Sequence, residues 1–192
     1  MSVQTTQFSG GFQNAPTDSA HAFRAAMTVM ARPGETRELT GAQAPAPLSE
    51  AAATLLLTLC DPETGVHLAG GANTADVRQW LTFHTGAPLV SASEADFAIG
   101  TWAALCPLST YRIGTAEYPD RSATLIVDGD AEANSEVTLT GPGIKDAAHL
   151  SLPDIPTMQA NAQLYPLGID FFFTNGTQVA ALPRSTQISV GG

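Results

Sequence analysis

The segment PLGIDFFFTNGTQVAALPRST, residues 166–186, leaves the chain little choice of local structure. Ile169, Phe171, Phe172 and Phe173 make the apolar run of a strand covered on both faces. Asn175 and Gly176 are expected to supply the two positive-φ positions of a type I′ turn. Val179, Ala180, Ala181 and Leu182 return as the second strand, and Pro183 stops it. The hairpin therefore belongs in a buried sheet.

Upstream, the pattern alternates helices with strands. A loosely held arm is expected over residues 1–16, followed by one α/β domain over 17–192. Thr17 or Asp18 is expected to cap the first helix, with Phe23, Ala26, Met27 and Met30 as its buried stripe. Pro33 and Gly34 end it, and a short strand is expected over 35–39. Ser49 caps a second helix carrying Ala52, Leu55, Leu56 and Leu59 at the same spacing, and Asn73 or Thr74 caps a third. The third places Val77, Trp80, Leu81 and His84 on one face and ends at Gly86. Further strands are expected over 66–68, 87–90, 97–99, 123–127 and 137–140, and a short helix from Pro156. Helices among strands with a terminal hairpin predict an α/β fold with a mixed sheet.

Composition narrows the function. Eight Lys plus Arg face eighteen Asp plus Glu, and the basic residues are scattered, which argues against a nucleic-acid partner. Only 14% of residues are charged against 44% hydrophobic, a surface suited to being covered in part by another protein. Cys60 and Cys106 form no C-x-x-C pair, and the opening MSVQTTQFSGGFQ is no basic, apolar-cored leader. A reducing, cytoplasmic setting with free thiols and no membrane association is the expectation.

Five segments together resemble one family. FRAAMTVMARPG (23–34), LLLTLCDPETGV (55–66), LTFHTGAPLV (81–90), LTGPGI (139–144) and PLGIDFFFTNG with ALPRST follow the order and spacing of PhnH, a subunit of the bacterial carbon–phosphorus lyase machinery. The resemblance runs from about Phe12 to the C-terminus and is faintest over 100–121. It implies a sheet like that of the large domain of pyridoxal-phosphate transferases, without the cofactor. It also implies an accessory subunit working with other carbon–phosphorus lyase subunits, in the transfer of ribose triphosphate from ATP to an alkylphosphonate. A homodimer is implied for the isolated chain, and no catalytic residues are implied. Two alternatives stand beside it: a stand-alone small-molecule transferase, and a module that binds nucleotide or phosphonate.

The residues themselves nominate few sites. Lys145, the only lysine, follows Gly141-Pro142-Gly143 in what reads as an exposed turn, a poor setting for a Schiff base. Gly141-Pro142-Gly143 itself lacks the GK[ST] ending of a phosphate loop. His84 is expected to be a core histidine bonded to a neighbouring carbonyl or hydroxyl, with acid–base chemistry as the rival reading. Asp170 interrupts an apolar strand and needs a partner, for which Arg24 and Arg184 are the candidates. An ion pair tying the first helix to the hairpin is the leading reading, and an anion-binding arginine its alternative. No histidine or cysteine pair has metal-ligand spacing, and no G-x-S-x-G is present.

Overall fold

Small polar caps set where several of the helices begin. The computed structural model describes residues 9–129 and 135–190. In chain order the elements are α1 (Ala15–Ala31), β1 (Arg37–Glu38), α2 (Glu50–Leu59), β2 (Val66–Leu68), α3 (Ala75–Thr85), β3 (Phe97–Gly100) and α4 (Trp102–Leu105). They continue with β4 (Thr124–Asp128), β5 (Ser135–Thr140), β6 (Ala148–Leu152), α5 (Ile155–Ala162), β7 (Asp170–Asn175), β8 (Gln178–Leu182) and β9 (Gln187–Ser189). The Ser49 hydroxyl accepts from Ala52 N at 3.2 Å to open α2, and Thr74 accepts from Val77 N at 3.1 Å to open α3. Gly86, at φ +69°, closes α3 in the left-handed conformation.

The main sheet has the order β1-β8-β7-β4-β3-β2. Its strands β2, β3, β4 and β7 run parallel, while at one edge β8 pairs antiparallel with β7 and β1 antiparallel with β8. A second, three-stranded antiparallel sheet has the order β6-β5-β9. The mixed α/β sheet and the terminal hairpin thus follow the sequence pattern. Alternate residues of β4 and β7 feed two cores. Ile126 and Phe172 pack with Leu55, Leu56, Trp80 and Leu81 of α2 and α3. Leu125 and Phe171 pack with Leu105, Leu139, Leu152 and Met158 on the other face. Full burial of such side chains contributes roughly 1.5–3 kcal/mol each.

Several local expectations are corrected. The hairpin turn centres on Gly176 and Thr177, because Asn175 pairs with Gln178 in the ladder. Gly176 has φ +56° and no non-glycine residue has positive φ among the described residues, which is the type II′ pattern rather than I′. Helix α1 begins at Ala15, ahead of Thr17 and Asp18. Pro16 sits in its first turn, where an N–H is dispensable, and the Asp18 carboxylate accepts from Asn14 N at 2.9 Å from inside the helix. Its buried stripe is Ala22, Ala26 and Val29, whereas Phe23 and Met27 are 49% and 51% exposed. Alanines on α1 meet the alanine-rich α2 at short range, so the small face wins the interior and the large residues turn out. The strand expected over 35–39 shortens to Arg37–Glu38. The one expected over 87–90 is reduced to a single bridge between Leu89 and Val66.

Of the arm expected over 1–16, residues 1–8 lie outside the described ones. Farther on, Gln43 N donates to Gly10 O at 2.8 Å, and Phe12 packs against the core. Residues 130–134, between the strands expected over 123–127 and 137–140, also lie outside the described residues.

Gly143 joins the second sheet to α1. Its φ is +81°, and a Cβ there would lie 1.9 Å from Ala31 O. Gly143→Ala is expected to cost about 2 kcal/mol or more from backbone strain and the forced separation. A drop in melting temperature of several degrees checks this; an unchanged one contradicts it.

Candidate functional site

Asp170 opens β7 and finds its cation just beyond the end of β8, distant along the hairpin but next to it in space. Arg184 Nη2 lies 2.5 Å from Asp170 Oδ2, and Nε donates to Oδ1 at 3.1 Å and Oδ2 at 3.2 Å. Arg184 N also donates to Oδ1 at 2.8 Å. The far side of the guanidinium donates to Pro119 O at 2.7 Å and Ser122 Oγ at 2.5 Å. The side chains are only 14% and 21% exposed. All three nitrogens of this guanidinium bond within the protein, and it locks the 119–122 loop to both ends of the hairpin. Arg24 takes no part: it is exposed on α1. The expected tie between the first helix and the hairpin is therefore replaced by a tie to the 119–122 loop, which sequence distance concealed.

His84 stands apart from this clamp. Its ring lies 5.2 Å from the Trp80 ring and 5.0 Å, edge-on, from Phe83. Gly11 is pressed against it, since a Cβ on Gly11 would meet His84 Cε1 at 2.6 Å. Nε2 is buried with no hydrogen-bond partner, so at that nitrogen the bond expected to a carbonyl or hydroxyl is missing. Lys145 is exposed, and Ile144 N donates to Gly141 O at 3.1 Å across the tight turn before it. The chain's one lysine thus does not fit a Schiff-base site. Arg24, His84 and the Asp170–Arg184 pair occupy three separate places. Among the described residues no group of three His, Cys, Asp or Glu side chains is placed to hold a metal. No described helix is long and apolar enough to cross a membrane.

One polar cluster escaped the sequence reading. Asp128, at the carboxyl end of β4 and 8% exposed, accepts from Ser49 Oγ at 2.5 Å, Ser49 N at 2.9 Å and Thr174 Oγ1 at 2.8 Å. It fastens the start of α2, where the helix dipole favours a negative charge, to the end of β7. The sequence signal was a carboxylate ending the apolar run ATLIVD, analogous to Asp170.

The cysteines differ sharply. Burial, followed by the neighbouring charges of Asp61 and Asp96, pushes the Cys60 thiol up to about 12, whereas Cys106 is exposed. One thiol per native chain is expected to react promptly with Ellman's reagent, and two after denaturation. Since the folded Cys60 holds its proton more tightly than the unfolded one, its contribution to stability is complete below about pH 8.5 and falls away as pH rises above that. Two promptly reactive native thiols contradict this assignment.

What the surface offers is apolar. Phe23 and Met27 stand one helical turn apart on the outside of α1, and Leu164 and Tyr165 after α5 are 44% and 61% exposed. Between α5 and the 108–113 segment lies a cavity of about 460 Å³, lined chiefly by Leu108, Tyr111, Ile113, Leu164 and Ile169. The family model described as "Bacterial phosphonate metabolism protein (PhnH)" matches residues 10–189. The chain belongs to the PhnH family. Among PhnH-related proteins, it is 38% identical over 197 residues to "Alpha-D-ribose 1-methylphosphonate 5-triphosphate synthase subunit PhnH" of Rhizobium meliloti (strain 1021), covering 98% of each chain. It is 29% identical over 182 residues to "Putative C-P lyase subunit protein HtxG" of Stutzerimonas stutzeri, covering 89% of this chain and 86% of that one.

Proposed function

We propose that this chain is an accessory, non-catalytic subunit of the phosphonate-processing assembly that transfers ribose triphosphate from ATP to an alkylphosphonate. The observation that carries the reading is the 38% identity, over 98% of both chains, to a protein named as a subunit of the triphosphate synthase. The geometry supports it: the polar residues nominated from sequence are dispersed, and Arg184 is consumed by internal bonds. Large apolar side chains are left on α1 and beside α5, where partner subunits cover them. In isolation the same faces favour a homodimer, and the chain works in the cytoplasm. The four parallel strands with an antiparallel neighbour are in keeping with the pyridoxal-phosphate transferase large domain, kept as a scaffold without the cofactor.

The reading is tested by growth on methylphosphonate. A host lacking this gene and complemented with Arg24→Ala or His84→Gln is expected to grow as with the wild type. Loss of growth with a variant that still folds and assembles contradicts a purely accessory role and points to the stand-alone transferase.

A further inference from the structure

Beside the open edge of β2 lies a cavity of about 240 Å³ with three polar side chains, His67, Asn73 and Arg78, on its wall. The remainder of the lining is Val66, Leu68, Leu89 and Val90. No carboxylate lines it, in a chain whose net charge is −10. The edge is open for a specific reason. Val66 N donates to Pro88 O at 2.9 Å and Val90 N to Val66 O at 3.0 Å, the start of a further parallel strand. The next ladder bond would use Val90 O, but that carbonyl lies 3.1 Å from His67 Nδ1. Residues 65 and 69 bond toward β3, through Gly65 O and Ala69 N, so the alternating Leu68 turns its N–H to the open edge.

Two of the three polar groups, Asn73 and Arg78, offer N–H donors. A carbonyl only accepts, so His67 Nδ1 carries the proton shared with Val90 and Nε2 is the ring nitrogen left over. Arg78 Nε donates to Asn73 Oδ1 at 2.5 Å, a contact between two exposed side chains that leaves Asn73 Nδ2 and the Arg78 Nη groups unengaged by described residues. A guanidinium and an amide NH2 beside an imidazole suit a tetrahedral oxyanion. The apolar side of the cavity suits a short alkyl group. We propose that His67, Asn73 and Arg78 form a binding site for a small alkylphosphonate. The oxyanion site stands on this geometry; the choice of a phosphonate rests on the function proposed above.

Isothermal titration calorimetry of the full chain with methylphosphonate, ethylphosphonate and inorganic phosphate tests it. Either phosphonate is expected to bind more tightly than inorganic phosphate, which lacks the alkyl group. Arg78→Gln is expected to weaken phosphonate binding about 10- to 100-fold, and His67→Gln to weaken it by a smaller factor. Arg121→Gln, an exposed arginine stacked on Tyr118, is expected to leave it unchanged. Thermal unfolding of each free variant confirms that it folds. Equal or tighter binding of inorganic phosphate overturns the phosphonate assignment. No binding, or full binding by a folded Arg78→Gln, overturns the site, while co-elution with partner subunits separately decides the accessory role.

Discussion

Replacing Arg184 with methionine is expected to lower the unfolding free energy by about 3–5 kcal/mol. The variant keeps a similar side-chain length but strands the Asp170 carboxylate in a site where the pair is only 14% and 21% exposed. It also leaves Pro119 O and Ser122 Oγ without the guanidinium they bond. Arg184 N, at 2.8 Å from Oδ1, remains as partial compensation and keeps the loss within that range. The diagnostic comparison is Asp170→Asn combined with Arg184→Met, which removes the uncompensated charge. It is expected to be more stable than Arg184→Met alone. Urea denaturation midpoints at constant slope measure both. A cost below about 1 kcal/mol for Arg184→Met means that the clamp behaves as a surface pair and that the 119–122 loop is held by other contacts.

Replacing both Phe23 and Met27 with glutamate is expected to weaken capture by the partner subunits at least about 100-fold while leaving the chain folded. The two residues sit outside the core, at 49% and 51% exposure, so solvent already reaches them in the free chain. Their loss costs little intramolecular packing, since Ala22, Ala26 and Val29 hold α1 against the body. At a covered interface the same carboxylates are desolvated without partners, which is where the penalty arises. Pull-down by tagged partner subunits, with the melting temperature of the free variant as control, reads the effect. Unimpaired capture removes α1 from the interface.

These residues also mark where the sequence stopped being legible. Periodicity located α1, but it placed the cap at Thr17 or Asp18 instead of Asn14 and could not choose between two adjacent stripes. Hydrophobicity ranks Phe23 and Met27 above Ala22 and Ala26, yet close helix packing rewards the smaller residues. The hairpin, the caps at Ser49 and Thr74 and the closing Gly86 were readable because each rests on chemistry within four residues. The turn register was not: Asn175-Gly176 and Gly176-Thr177 differ by one residue, and the pairing of Asn175 with Gln178 decided between them. Asp170 announced its need for a cation by interrupting an apolar strand. Its partner became identifiable only when β8 folded back to bring Arg184 alongside. His67 and Arg78 carried no joint signal, because only the bare edge of β2 brings them to one cavity.

On the function proposed above, this protein acts by joining an assembly. Co-expression with the other subunits of the phosphonate system, followed by size-exclusion chromatography with mass measurement of the eluting species, tests it most directly. This chain is expected to elute with its partners in one stoichiometric complex, and Phe23→Glu with Met27→Glu is expected to release it. Elution of the wild-type chain by itself, with the remaining subunits fully assembled, would contradict it.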